Sequence, residues 1–338
     1  MSSQPVSHAL TLDIGGTKIA AAYVEFPLHA ASTGEVVLKH YEVATPKTSE
    51  AFIDAMATAL EAVRPVGEPW PVIGISTAGV VNHKTGTILG ATGNLPAIDS
   101  TPYPIAEKLR QRLQGGDMDA LPLTIHVEND ANAAAYGEYV AGATKGYDNV
   151  VMVTLGTGVG GGLIIDGKLL RGSHFSGAEV GHIRISLTND RDCTCGRLGC
   201  WETYASGTGF ARTGRRELRE LLHSAQAKDI LKDKAVSELT TRDIIAAYHR
   251  GNPLAAQLME KWHQHVATGI GNLMNILDPD VVVIGGGMAQ FITIDTLNNY
   301  LYERIMEPMQ ATPIRIACLG NQAGLVGAAA LALEATQK

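Results

Sequence analysis

The chain opens on a short strand pattern, Leu10-Thr-Leu-Asp13-Ile14, broken by Gly15-Gly16 and resumed from Ile19 to Phe26 and again from Glu35 to Ala44. Strands joined by a tight glycine turn are antiparallel neighbours, so this start predicts a β-meander. Apolar residues then fall at Phe52, Met56, Leu60 and Val63, the spacing of one helix face. Val72-Ile-Gly-Ile75 returns to a strand. A loop as far as Pro104, a helix to about Leu113 and a strand near Ile125–Val127 are expected next. The predicted order is β-β-β-α-β-α-β.

At Asn149 the same grammar restarts, with a strand from Val150 to Leu155, a turn at Gly156-Thr157-Gly158, a return strand from Gly161 to Ile165 and a short strand around Leu169. A duplicated, hairpin-led α/β unit implies two lobes with a cleft between them. The expected limits are 8–128 for a smaller lobe, joined by a C-terminal helix at about 322–336, and 129–321 for a larger one. Within the second, Leu254, Leu258, Trp262, Val266, Ile270, Leu273 and Leu277 mark one face of a helix. It starts at Pro253 behind an Asn252 cap, ends at Asp278-Pro279, and is expected to be a buried packing helix. Val281-Val-Val-Ile284 enters Gly285-Gly286-Gly287, and Ala323 to Ala335 closes the chain. The alternating charges from Arg212 to Glu220 predict a solvated helix face.

Composition narrows the function classes. The chain has 338 residues, 45% of them hydrophobic, enough for two moderate cores. Its net charge of -7 gives no electrostatic reason to expect nucleic-acid binding. No apolar run could span a bilayer, and the polar stretch from Met1 to His8 is unlike a signal peptide, so a cytoplasmic protein with small-molecule partners is expected. Of the four cysteines, Cys318 stands alone in an apolar setting and is expected to be a packed core thiol.

The other three carry chemistry. His182, Cys193, Cys195 and Cys200 place four soft or borderline ligands within nineteen residues, the set a tetrahedral zinc site needs, with Gly196 and Gly199 allowing the turns. Asp13-Ile-Gly15-Gly16-Thr17-Lys18 can bring backbone N–H groups close to a polyphosphate, with Asp, Thr and Lys beside them. The second copy, Gly156-Thr157-Gly158-Val-Gly-Gly-Gly162, puts five glycines in seven residues, a costly composition for mere strand filler. Neither has the spacing of a Walker loop, and Gly285-Gly286-Gly287 lacks that of a dinucleotide turn. Glu128-Asn129-Asp130-Ala-Asn132 follows a strand and opens a helix, where N-capping is the plainest role for Asn129 and Asp130. Glu179 and Glu202 flank the zinc ligands, and close carboxylates suit recognition of vicinal sugar hydroxyls.

The string Gly177-Ala-Glu179-Val-Gly-His182, ten residues, Cys193-Thr-Cys195-Gly-Arg-Leu-Gly-Cys200-Trp-Glu202 resembles the signature of the ROK family of bacterial sugar kinases and sugar-responsive repressors, and the resemblance runs from about Leu10 to Leu333. It implies a two-lobed actin-like ATPase (ribonuclease H-like) α/β fold. It also implies ATP with Mg2+ on the glycine hairpins, adenosine against Gly285-Gly286-Gly287, and a structural zinc. Asp130 would accept the proton of the sugar hydroxyl under attack, with Asn129 on a neighbouring hydroxyl. Glu179 and His182 would read hydroxyls near the anomeric end, Glu202 would assist, and Asn94 would approach the sugar's other edge. His182 would serve both metal and sugar. A homodimer or homotetramer is the expected assembly.

The expected activity is ATP-dependent transfer of a phosphoryl group to the 6-hydroxyl of a hexose, glucose or an N-acetylhexosamine. The chain departs from many glucokinases in lacking Gly-Trp after Asn94-Leu-Pro96 and in reading Ile75-Ser-Thr-Ala-Gly79 where a Pro-Gly form is common. Ser-Thr versions resemble kinases of N-acetylmannosamine, the alternative reading. A repressor would need a helix-turn-helix ahead of the first hairpin, where only twelve residues precede Asp13. Intact Asp130 and both hairpins count against a catalytically dead sugar-binding module.

Overall fold

The computed structural model describes residues 6–27, 37–67, 70, 72–90, 93, 95–115, 123–188 and 190–336. The chain begins with strands β1 (Val6–Ile14), β2 (Lys18–Pro27) and β3 (Val37–Ala44), helix α1 (Ser49–Val63) and strand β4 (Val72–Thr77). The hairpin β5 (Val80–Asn82) and β6 (Thr87–Gly90) follows, then α2 (Ile105–Gln114), β7 (Ile125–Asn129) and α3 (Asp130–Ala141). The hairpin lies where a plain loop was expected; strands of three and four residues are too short to show a period.

The repeat begins with β8 (Val150–Leu155), β9 (Val159–Ile165) and β10 (Lys168–Leu169). It continues through α4 (Glu202–Ala205), α5 (Gly207–Glu220), α6 (Ala225–Leu231), α7 (Thr241–His249) and α8 (Pro253–Leu277) to β11 (Val281–Gly285), α9 (Ile294–Tyr302), β12 (Ile314–Ile316) and α10 (Ala323–Ala335). One sheet has the order β3-β2-β1-β4-β7 and the other β10-β9-β8-β11-β12. The two orders are the same topology, a meander followed by two parallel strands, so the duplication read from the glycine hairpins is present in the fold.

Two compact units are distinguished, Met1–Asp148 with Gly162–Ala178 and Cys318–Lys338, and Asn149–Gly161 with Glu179–Ala317. This differs from the expected limit at 128/129, because α3 belongs with the first unit. Small residues are the reason. A Cβ on Gly327 of α10 would lie 1.7 Å from the carbonyl oxygen of Ala133, one on Gly137 of α3 would lie 2.3 Å from that of Ala323, and one on Gly74 of β4 would lie 2.1 Å from that of Ala328. Helix α10 thus lies directly on α3 and β4, backbone against backbone, and no larger side chain fits. The core of the first unit includes Leu10, Leu12, Phe52, Met56, Leu60, Ile73, Ile75 and Val127, all fully buried.

In the second unit, α8 has the expected span and cap, with Asn252 Oδ1 accepting from the N–H groups of Leu254 and Ala255 at 3.0 Å each. Trp201 is fully buried against Gly269 of this helix and donates through Nε1 to the carbonyl of His265 at 2.8 Å. Cys318 is corrected from its expected place. It is exposed, with Sγ 3.6 Å from Glu138 Oε2, because it precedes α10 at the surface instead of packing inside.

Candidate active site and metal centre

In the first unit the parallel strands end in register. Ile14 of β1 pairs with Thr77 of β4, and Thr77 pairs with Asn129 of β7. One sheet edge therefore collects the Gly15-Gly16 turn, Gly79 and the Asn129-Asp130 pair. The carboxyl ends of parallel strands are where open α/β sheets bind ligands.

Asp13 closes this edge. Its Oδ1 accepts from Ser76 Oγ at 2.7 Å, and a Cβ on Gly324 of α10 would come within 3.0 Å of the same oxygen. Burial pushes the Asp13 carboxyl up, the bond from Ser76 opposes this, and the charge of Asp130 pushes it further up. Asp130 is reached by solvent but closely surrounded by protein, and loss of hydration raises its carboxyl too. Both groups are acids with a common edge and a shared reluctance to ionise, as expected where a carboxylate works as a base.

Asn129 is the N-cap of α3. Its Oδ1 accepts from the N–H groups of Ala131 and Asn132 at 3.0 and 3.1 Å, and its Nδ2 donates to Gly79 O at 3.1 Å. Both acceptor positions of Oδ1 are occupied, and the amide also donates toward the Asp130 carboxylate. Lys18, expected on phosphate, has its ammonium on Glu42 of β3 at 2.5 Å. Gly15, Gly16 and Thr17 are exposed, and Asn94 lies outside the described residues.

Two residues at this edge escaped sequence reasoning. Glu128 is 1% exposed, and its carboxylate accepts from Arg171 Nε at 2.7 Å, Asn132 Nδ2 at 3.1 Å and the N–H of Asn129 at 3.2 Å. Burial alone would raise it, but His126, Arg171 and Asn132 outweigh burial and hold it at about 2. Glu128 stood in the Asn129-Asp130 motif with no role attached. Nothing in sequence pointed to Arg171, because its partner is 43 residues away.

In the second unit, Gly285 of β11 pairs with Thr154 of β8 in parallel, so Gly156-Thr157-Gly158 and Gly285-Gly286-Gly287 leave the sheet at one end. Gly286 has φ +84°, and a Cβ there would lie 2.4 Å from Leu155 O. Glycine is required at that turn.

The four predicted metal ligands converge. The four ligand atoms of His182, Cys193, Cys195 and Cys200 lie within 4.8 Å of one another. Cys193 Sγ is 3.5 Å from His182 Nδ1, and Cys195 Sγ is 3.7 Å from Cys200 Sγ. A tetrahedron with metal–sulfur bonds of ~2.3 Å has edges of about 3.8 Å, close to the observed separations, so the set fits Zn2+. Burial and the neighbouring thiols push Cys200 up to about 12, a penalty that a divalent cation would remove. His182 turns its other nitrogen, Nε2, toward Glu179 Oε2 at 3.9 Å. Glu202, at the start of α4, places Oε1 3.7 Å from Cys193 Sγ and accepts the Val159 N–H on Oε2 at 3.0 Å.

Twin sheets of this order, each led by a glycine hairpin, define an actin-like ATPase fold. The chain belongs to the ROK family, which matches residues 9–335. It is 38% identical over 328 residues to a glucokinase of Streptomyces coelicolor, covering 96% of both chains. It is 34% identical over 333 residues to an N-acetyl-D-glucosamine kinase of Escherichia coli, covering 95% of this chain and 98% of that one. Among solved structures, a ROK family glucokinase from Streptomyces griseus in complex with glucose and AMPPNP superposes with a TM-score of 0.76 at 35% identity, covering 97% of this chain and all of that one.

Proposed function

We propose that this protein is an ATP-dependent hexose kinase that transfers the γ-phosphoryl group to a sugar 6-hydroxyl, with glucose as the first candidate acceptor. The observation that carries the reading is the register of β1, β4 and β7, which puts Asp130 on one edge with the Gly15-Gly16 turn and Asp13. Phosphoryl transfer needs positioning, charge neutralisation and one proton acceptor. Asp130 is the acceptor in this reading, and Asn129, whose amide faces the Asp130 carboxylate, would meet a neighbouring hydroxyl. The Gly15–Thr17 turn of the first unit and, separately, the Gly156–Gly158 and Gly285–Gly287 turns of the second would each allow close backbone approach to a nucleotide. Mg2+ accompanying the nucleotide would neutralise phosphate charge, with Asp13 as the carboxylate that faces it. The glucokinase bound to glucose and AMPPNP supports the same pair of substrates.

His182, Cys193, Cys195 and Cys200 would hold a structural Zn2+. A closed set of four protein ligands leaves no place for substrate, so the metal would act by fixing the His182 ring. With Nδ1 committed to the metal, Nε2 is the free position beside Glu179, and these two would meet the sugar hydroxyls. Glu202 supports the arrangement from behind through Val159.

A second acceptor class, N-acetylhexosamines, is favoured by the similarity to N-acetyl-D-glucosamine kinase. The Ser76-Thr77 pair, whose form resembles kinases of N-acetylmannosamine, keeps that sugar as the alternative. Both residues are fully buried and Ser76 is bonded to Asp13. A coupled ADP-release assay with glucose, mannose, fructose, N-acetylglucosamine and N-acetylmannosamine tests the reading. Turnover with at least one hexose is expected, and no turnover with any of them would refute it.

A further inference from the structure

A cavity of about 310 Å³ opens within the first unit, a volume at the small end of metabolite pockets. Its walls are His83 and Lys84 between β5 and β6, His126 on β7, Arg171 after β10, and the last turns of α10 with Glu334. None of these residues belongs to the proposed catalytic or metal set.

The hydrogen-bonding count in this cavity does not close. His83 Nδ1 and His126 Nε2 are both buried and have no hydrogen-bond partner, and His126 is 8% exposed. His126 Nε2 lies 3.8 Å from Glu128 Oε2, close enough to help hold that carboxyl down and too far for a hydrogen bond. Arg171 spends Nε on Glu128, and its two terminal nitrogens take no acceptor among the described residues. Lys84 forms no ion pair among them either. Glu334 is the one acidic wall, and its Oε2 already accepts from Tyr136 Oη at 2.8 Å. Buried polar atoms ordinarily find partners, and four donor-bearing side chains around one small volume are matched by a group with several acceptor oxygens and negative charge.

We infer that this cavity binds a small phosphate-bearing anion, held by Arg171 and Lys84 and bonded by His83 and His126. Arg171 is the cation that also holds Glu128, whose carboxylate accepts the Asn129 N–H, so the ligand would share a residue with the support of the β7–α3 junction. His83 adds a reporter. Burial first, then the charge of Arg171, hold it down at about 4, with Glu128 opposing and His126 and Lys84 reinforcing. A bound phosphate facing these groups and Glu334 would raise it.

The test is a titration of the full-length protein, carrying 13C-labelled histidine rings, with inorganic phosphate at constant ionic strength, followed by NMR. The His83→Gln and His126→Gln variants assign the two signals. Saturable shifts of both rings are expected, with a rise in the His83 midpoint. Lys84 is exposed, so Lys84→Ala should leave the fold intact and weaken the phosphate affinity about tenfold. Asp130→Asn should leave that affinity unchanged, which separates this cavity from phosphate bound in the proposed transfer site. Absence of saturable shifts at tens of millimolar phosphate, or equal affinity in Lys84→Ala and the parent protein, would overturn the inference. Neither result depends on whether the protein phosphorylates sugars.

Discussion

Glu202 Oε2 accepts the backbone N–H of Val159 at 3.0 Å, and a Cβ placed on Gly158 would lie 2.3 Å from the same oxygen. The second glycine turn and the histidine-cysteine cluster are therefore one construction, since Glu202 touches both. Gly158→Ala should push the carboxylate off Val159 and disturb Cys193 behind it. Steady-state kinetics should show kcat/KM falling about tenfold or more, while the far-ultraviolet circular dichroism stays that of the parent.

Asp130→Asn removes the proposed proton acceptor and keeps the side-chain oxygen that accepts the Ala131 N–H at 2.8 Å. Folding and sugar binding should persist while kcat falls by ~10² to 10⁴. Calorimetric binding of the sugar alongside turnover checks both halves. A kcat within a few-fold of the parent, with the substitution verified by mass, would remove Asp130 from its role.

The pH profile follows from the raised carboxyls of Asp130 and Asp13. A base must be ionised to accept a proton, so activity should be lost as pH falls through the folded pKa of Asp130. That midpoint should lie above the ~3.9 of an ordinary aspartate. The dependence of kcat on pH measures that midpoint.

Metal analysis of the purified protein should find about one zinc per chain. Cys195→Ser should lower metal content and activity together, because His182 loses the bond that fixes its ring. A fully active, metal-free protein would exclude the assignment.

Glu128 supplies a stability prediction with a definite sign. Its folded pKa of about 2 lies below the value of about 4.5 for the free group, so its contribution is complete above about 4.5 and lost as pH falls toward 2. Arg171→Met leaves the buried carboxylate without its cation and should destabilise the protein by about 3 kcal/mol or more at neutral pH. Urea denaturation at pH 7 and at pH 3 should show the gap between variant and parent narrowing in acid.

Much of this protein was legible along the chain. The restart at Asn149 gave away the duplication, because a glycine hairpin after an apolar strand is a local signal. The proposed metal ligands stand out in the sequence because one short segment carries all four and its glycines allow the turns. The span and cap of α8 followed from period and cap chemistry alone. What the sequence could not decide is set by contacts between distant segments. That α3 belongs with α10 and not with the repeat depends on glycines meeting carbonyls nearly 200 residues away, and no local pattern records which backbone a missing Cβ admits. The commitment of Ser76 to Asp13, of Lys18 to Glu42 and of Arg171 to Glu128 belongs to the same class. Each side chain has a plausible solvent or ligand role when read alone, and only the tertiary structure, by bringing an acceptor within 2.7 Å or less, decides that the role is taken.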